Sequence, residues 1–201
     1  MLKALAGKHV LLVEEVSEYM YAFDRAFFHV ASYLGPRGLA GLLPVNHDNL
    51  SLDFKLKRFA GALDREPAER HARWLGSFDP ELQAQLLTPE VRAQLGGHDL
   101  YAQARAIWAE TRGLDPLARF LAIDQRTYLP DDILFKVDRA SMMASLETRA
   151  PLLDHRLVAY ANGLPSGLKL KGLTTKYLLK RVAAGYLPEG ILKGRKKGFG
   201  I

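Results

Sequence analysis

YLPDDILFKVDRASMMASLETRAPLLDH, residues 128–155, is the stretch from which the rest of the chain is read. Its spacing predicts a helix, a short extended segment and the start of a second helix. Pro130 suits a first helical position, and Asp131 and Asp132 place negative charge at the positive end of the helix dipole. Ile133, Val137, Ala140 and Ala144 recur at helical spacing and form one apolar stripe. Asp138 has Leu134, Phe135, Ser141 and Met142 three and four residues away. Such neighbours predict a carboxylate at least half buried, which then needs a partner. Pro151 disfavours helix at Ala150, so residues 146–151 are expected to be extended. Alternation then sets Glu147 and Arg149 on one face and Leu146, Thr148 and Ala150 on the other. Asp154 is placed to cap the following helix, with Leu153 and Val158 as a hydrophobic staple. Asp138, Arg139, Glu147 and Arg149 thus come from one helix–turn–helix unit. They form either a functional constellation or a buried ion-pair network that only fixes the fold, and the two look alike in sequence.

This segment resembles the signature of the synthetase domain of glutamine-dependent asparagine synthetases, L-P-D-x-x-L-x-K-x-D-R-x-S-M-x-x-x-L-E-x-R-x-P-x-L-D-H. Leu129, Pro130, Asp131, Leu134, Lys136, Asp138, Arg139, Ser141, Met142, Leu146, Glu147, Arg149, Pro151, Leu153, Asp154 and His155 match it. The resemblance implies an ATP-dependent ligase that adenylates a side-chain carboxylate and lets ammonia displace AMP. ATP and Mg are therefore the implied cofactors and an aspartate-like acid the implied substrate. Ring-forming amide synthetases share the signature.

Composition bounds the alternatives. The chain has 201 residues, 48% hydrophobic and 25% charged, as in a globular protein with room for a core. No apolar run approaches a membrane-crossing length. The start, MLKALAGKHVLLVEE, turns acidic too soon for a signal peptide. There is no cysteine, hence no disulfide, thiolate metal site or cysteine nucleophile. A cytoplasmic address is the expectation. The net charge of +6 is concentrated late. Residues 169–201 hold nine of the 28 Lys and Arg but one of the 22 acids, which leaves 19 bases and 21 acids before them. A basic tail can meet phosphate on a nucleotide or on nucleic acid. Nucleic acid is the weaker reading, because few aromatics interleave the bases and no nucleic-acid motif is legible.

Residues 10–13 read as a short buried strand. Glu14, Glu15 and Glu18 follow it, where a metal-bound phosphate gathers in an open α/β sheet. The plainer reading is an acidic helix start. The resembled family carries a glycine-rich acidic loop here. This chain has VEEVSEYMYAFDR, in which Phe23, Asp24 and Arg25, with one residue deleted, can stand for the Y-x-R end of the G-Y-x-R stretch that follows that loop in the family, but the glycines are absent.

Helices are expected near residues 19–33, over 50–62 and over 67–75. RHARWLGSF, residues 70–78, resembles a helical insert of the family, with His71 and Trp74 as helix-contact residues. Thr88 caps a short helix opened by Pro89 and Glu90 and stopped by Gly96 and Gly97. Residues 100–111 form another, and Asp115 with Pro116 starts the next. Residues 155–163 form an amphipathic helix ended by Gly163 and Pro165. Thr174 or Thr175 is expected to cap a helix with Lys176 in its first turn, a position suited to an anion.

The last segment resembles the family's closing motif through Lys176, Leu187, Pro188, Ile191, Leu192, Lys196, Gly198, Phe199 and Gly200. Lys196 stands where the family places a catalytic lysine that stabilises developing negative charge. The resemblance further implies that Glu147 and Arg149 order the substrate carboxylate or ammonia entry. It implies that Arg139 holds a carboxylate or phosphate, that Asp138 holds basic side chains, and that Lys176, Glu14 and Glu15 lie by pyrophosphate, with Glu15 and Glu18 on the metal.

No S-G-G-x-D-S run and no Walker motif is present. The expected architecture is mainly α, a partial α/β adenine-nucleotide-hydrolase-like synthetase domain in which the end of a parallel sheet precedes many helices. One domain, truncated at both ends, is expected over residues 1–201. Its parts are a strand end and acidic loop (1–18), a helical part (19–127), and the signature region with the basic tail (128–201). Two functions fit. One is a synthetase fragment, inactive alone, that a missing N-terminal half or a complete synthetase completes. The other is a non-catalytic remnant or docking subunit of such an enzyme.

Overall fold

The computed structural model describes residues 21, 57, 60–62, 64–76 and 78–192. Residues 10–13, Glu14, Glu15, Glu18 and Lys196 lie outside them, as do most of the helices expected over 19–33 and 50–62. The chain divides into two compact units, residues 28–112 and residues 1–27 with 113–201. Among the described residues the regular structure is helical, and its one bridge of β type joins Lys171 and Thr174.

In the first unit α1 spans Pro67–Leu75, α2 Pro80–Leu86, α3 Pro89–Gln94 and α4 Ala102–Glu110. Proline opens the first three, where its missing N–H costs nothing. Asp79 caps α2 by accepting from the Leu82 N–H at 2.8 Å, and Thr88 caps α3 by accepting from the Val91 N–H. Gly96 and Gly97 end α3 at φ 61° and 70°, a left-handed pair that residues with a Cβ resist. α1 packs on α4. The buried face of α1 carries Ala68, Arg70, His71 and Trp74, and that of α4 carries Ala104 and Ile107. His71 and Trp74 are thus helix-contact residues, as expected.

Charge stitches the outer side of this unit. Arg73 pairs with Asp79 at 2.9 Å and Glu81 at 3.3 Å, and Arg65 pairs with Glu69 at 3.7 Å and with Glu81. Arg105 joins Glu69 to Asp99. The Arg65 guanidinium also lies 6.0 Å from the centre of the Tyr101 ring. Burial pushes the Asp79 carboxyl up, but the Leu82 N–H and Arg73 outweigh it and hold the group below its ordinary 3.8. A carboxyl depressed on folding stabilises the fold at pH above its unfolded value, and that contribution is lost as pH falls through the lower, folded one. We expect acid unfolding below about pH 4 to be shallower in Asp79→Ala than in the parent, with the variant already less stable by about 1–2 kcal/mol at pH 7. Urea melts at the two pH values check this.

In the second unit α5 spans Pro116–Arg126, a π-helical segment Leu129–Leu134, α6 Phe135–Met143, a 3-10 turn Pro151–Leu153, α7 His155–Gly163, α8 Ser166–Lys169, α9 Tyr177–Ala183 and α10 Glu189–Leu192. Asp115 caps α5 by accepting from the Leu117 and Ala118 N–H groups at 3.1 and 3.3 Å. It also accepts from the Ser166 hydroxyl at 2.7 Å, tying α8 to the start of α5. Leu117, Phe120, Leu121, Ile123 and Asp124 are the buried side of α5.

The helix expected from Pro130 onward begins instead as a π-helical turn and becomes α-helical at Phe135. Pro130 has no N–H to give the carbonyl four residues back, and the ladder passes it in the wider register. Leu129 and Ile133 are buried there against Tyr128 and Leu153. The expected stripe is correct at Ile133 and half correct at Val137. Ala140 and Ala144 are exposed, because α6 buries Ser141 and turns the rest of its surface outward.

The end of α6 was legible only in part. The Leu146 N–H donates to Ser141 O and the Ser145 N–H to Met142 O, both at 2.9 Å, the Schellman pattern. Ser145 fills its left-handed position at φ 53°, where glycine is the usual residue. Ser145→Gly is expected to stabilise the protein by about 1 kcal/mol by removing that strain. Thermal denaturation of the two proteins reads it.

Candidate functional site

The signature residues run from the π-helical segment through α6, the irregular segment 146–150 and the Pro151–Leu153 turn to the start of α7. Ala150 has extended backbone (φ −101°, ψ 101°), as the following proline requires. Glu147 and Arg149 form an ion pair with each other, as two side chains on the same side of the segment would. Both are largely exposed, while Thr148 and Ala150 on the opposite side are half buried. Leu146 departs from the alternation, since it is exposed at the turn out of α6. Asp154 caps α7 by accepting from the Arg156 N–H at 2.9 Å. Its carboxyl is held below the usual range by the Arg156 guanidinium and then by that N–H.

Two expectations for this region are corrected. Asp138 is exposed, and among the described residues its carboxylate makes no ion pair. Its apolar neighbours Leu134, Phe135 and Met142 are themselves exposed, so nothing withdraws the carboxylate from water. Nor do the four charges make one buried network. Arg139 lies with its guanidinium 5.2 Å from the centre of the Phe135 ring on its own helix, and the Glu147–Arg149 pair stands apart at the surface.

The third correction concerns Lys176. α9 begins at Tyr177, neither Thr174 nor Thr175 caps it, and Lys176 is the residue before the helix, not one within its first turn. The cause is a tight reversal. Lys171 and Thr174 exchange backbone hydrogen bonds at 3.1 and 2.9 Å across Gly172 at φ 60°, Thr175 is buried, and Lys176 takes left-handed backbone (φ 54°, ψ 38°). Lys171 donates to the Tyr177 hydroxyl at 3.3 Å, and its ammonium and the Arg181 guanidinium lie 4.9 and 5.8 Å from the ring centre. The Tyr177 phenol is held below its ordinary value by Lys171 first.

What sequence reading missed is a groove. α5, the Pro151–Leu153 turn, α7, α8 and α9 enclose about 520 Å³, walled by leucines that include Leu129, Leu153, Leu157, Leu164, Leu178 and Leu179. Gln125 and Asn162 hold α5 to α7 across it through two amide hydrogen bonds of 2.9 Å. Arg126, Lys169 and Lys176 stand among its lining residues. The leucine spacing is visible in sequence, but helical periodicity alone does not separate a core from a groove wall.

The described residues do not fit a magnesium-bound triphosphate. Among them no three His, Asp or Glu side chains converge as metal ligands. The groove beside Lys176 is leucine-walled, which suits an apolar body and not a polyphosphate. Glu14, Glu15, Glu18 and Lys196 lie outside the described residues.

Comparison with known proteins supplies the relationship. The family model for asparagine synthase matches residues 23–201. A putative glutamine-hydrolysing asparagine synthetase of Mycobacterium bovis is 43% identical over 95 residues, 47% of this chain and 15% of that protein. Glutamine-hydrolysing asparagine synthetase 1 of Bacillus subtilis is 32% identical over 142 residues, 69% of this chain and 22% of that protein. An amidase of Penicillium rubens is 31% identical over 96 residues, 44% of this chain and 14% of that protein. The chain thus spans less than a quarter of the length of each of these relatives. No solved structure matches. With the signature in residues 128–155 and a family match across residues 23–201, the chain belongs to the asparagine synthase family.

Proposed function

We propose that this chain is the later, mostly helical part of an ATP-dependent amide-forming synthetase and acts when completed by the part that binds ATP. The supporting observation is the family match over residues 23–201, in which Glu147 and Arg149 are paired on one exposed side of the signature segment. The substrate is an aspartate-like acid. Its side-chain carboxylate displaces pyrophosphate from ATP, and ammonia then attacks the acyl carbon and releases AMP.

Arg149 and Arg139 supply cationic charge for a carboxylate or phosphate, and Glu147 orients Arg149 or meets the incoming ammonia. The exposed Asp138 holds a basic side chain when the remaining part is present. Lys196 opposes the negative charge that develops on the adenylate phosphate or on the tetrahedral intermediate. Glu14, Glu15 and Glu18 are assigned to pyrophosphate and its magnesium, and Lys176, outside the helix start expected to hold an anion, is left without a role there. The cytoplasm is the proposed location, and among the described residues no helix is long and apolar enough to cross a membrane.

ATP–pyrophosphate exchange tests the proposal. The assay uses aspartate and magnesium, with this chain alone and with a separately produced N-terminal part of a complete relative. Exchange in the mixture and none in either part is the expected result. Exchange by the chain alone would overturn the reading that the ATP site lies elsewhere, and silence in the mixture would make the chain a docking remnant.

A further inference from the structure

The segment between α1 and α4, residues 78–100, is tied to its unit by charge more than by packing. No residue of α2 or α3 is buried. Leu82, Gln83 and Leu87 are half buried, and every residue from 88 to 100 is exposed. Phe78, Leu86 and Leu95, apolar side chains large enough to anchor it, are 57%, 59% and 51% exposed. The ion pairs that hold it have one polarity. Asp79, Glu81 and Asp99 on the segment face Arg65, Arg73 and Arg105 on the body of the unit. They also stand at its two ends, with Asp79 and Glu81 at the first and Asp99 at the last.

The closed arrangement leaves polar atoms unsatisfied. The Tyr101 hydroxyl and the Arg65 Nε are buried and make no hydrogen bond among the described residues. Tyr101 lies beside the ion pairs, for Arg73, Arg65, Asp79 and Glu81 all act on its phenol, which burial pushes up. Buried polar groups without partners oppose the state that buries them. Exposed ion pairs stabilise weakly, and added salt screens them. Glycines flank the two helices, Gly76 before them and the left-handed Gly96 and Gly97 after them.

We infer that residues 78–100 are a strap closed by an electrostatic clasp and opened by ionic strength. Asp79 and Glu81 on Arg65 and Arg73 are one end of the clasp, and Asp99 on Arg105 is the other. As salt rises the strap swings out on its flanking glycines, while α1 and α4 stay packed through Ala68, Trp74, Ala104 and Ile107. Opening bares Arg65, Arg73 and the Tyr101 hydroxyl, so ionic strength sets how often this cationic face meets solvent. The inference does not rest on the amide-forming reaction, and its readout is independent of the exchange experiment.

Hydrogen exchange with mass spectrometry on the full chain, in about 20 mM and about 1 M sodium chloride, tests it. Amides of residues 80–97 are expected to exchange at least about tenfold faster in the high salt, and those of α1 and α4 to stay within about twofold of their low-salt rates. Arg65→Gln with Arg73→Gln is expected to bring the strap near the fast rate already in low salt and to leave it with less than about threefold of salt dependence. The salt series on the parent needs no variant, so it decides the matter even if the double variant weakens the whole unit. Strap protection unchanged or raised by salt would overturn the inference and leave a segment held by Leu82 and Leu87. Equal loss of protection in α1, α4 and the strap would overturn it as unfolding of the whole unit. So would unprotected exchange of the strap at both salt concentrations, since the clasp would then never close.

Discussion

On the role proposed for it, Lys196→Ala is expected to lower amide formation by the completed synthetase about 10²- to 10³-fold. The expectation comes from charge. Aspartate activation and ammonia attack both build negative charge on oxygen, and a fixed ammonium in a water-poor site stabilises it more than water does. The closing motif offers two neighbours, Arg195 and Lys197, so the loss at Lys196 must exceed theirs. Lys196→Arg keeps the charge but moves it onto a larger planar group, and is expected to recover only part of the rate. The two assays also locate the step. If the lysine acts on the adenylate, pyrophosphate exchange falls with asparagine formation. If it acts on the tetrahedral intermediate alone, exchange survives and amide formation is lost. An effect under threefold in both assays would remove Lys196 from the chemistry.

Phe120→Ala is the largest expected loss of stability. Phe120 is 3% exposed on α5, between Leu117 and Ile123 at 1% each, and its ring centre lies 6.1 Å from that of Tyr21 in a tilted arrangement. Truncation removes the transfer energy of the ring and leaves a cavity that helices packed this closely only partly close, together about 3–5 kcal/mol. Set against a total stability of about 5–15 kcal/mol, that lowers the midpoint of thermal unfolding by about 10 °C. Phe120→Leu keeps most of the volume and is expected to cost about 1.5 kcal/mol or less. Circular dichroism melts of the three proteins decide it, and an alanine variant that melts with the parent would mean the α5 core is not packed as described.

Much of the local structure was legible because it is written in short-range chemistry. α1 and α7 fall on the residues expected, since proline, Glu69 in the first turn and Gly76 mark the ends of α1, and the Asp154 cap and Gly163 mark those of α7. Thr88–Pro89 and Asp115–Pro116 mark α3 and α5 in the same way. The same grammar at Asp79–Pro80 also opens α2, a helix that sequence reading passed over between two stronger signals. What could not be read is what a residue faces. Asp138 has apolar neighbours along its helix, but those neighbours are themselves exposed, so spacing suggested burial that packing does not provide. Lys176 illustrates a different limit. Threonines before a lysine look like a cap, yet Gly172 permits a tighter reversal that ends with Lys176 left-handed outside the helix. The family relationship, in contrast, was carried by many matched positions in one segment and did not depend on any of these placements.

The most direct measurement is incorporation of 15N-ammonium into asparagine, followed by mass spectrometry. It is made with aspartate, ATP and magnesium, first with this chain alone and then with the separately produced N-terminal part of a complete relative. Labelled asparagine from the mixture and none from either part is the result this account predicts. No label in the mixture, with the two parts shown to associate, would contradict it, and would leave the Glu147–Arg149 pair as surface structure in a chain that does no chemistry.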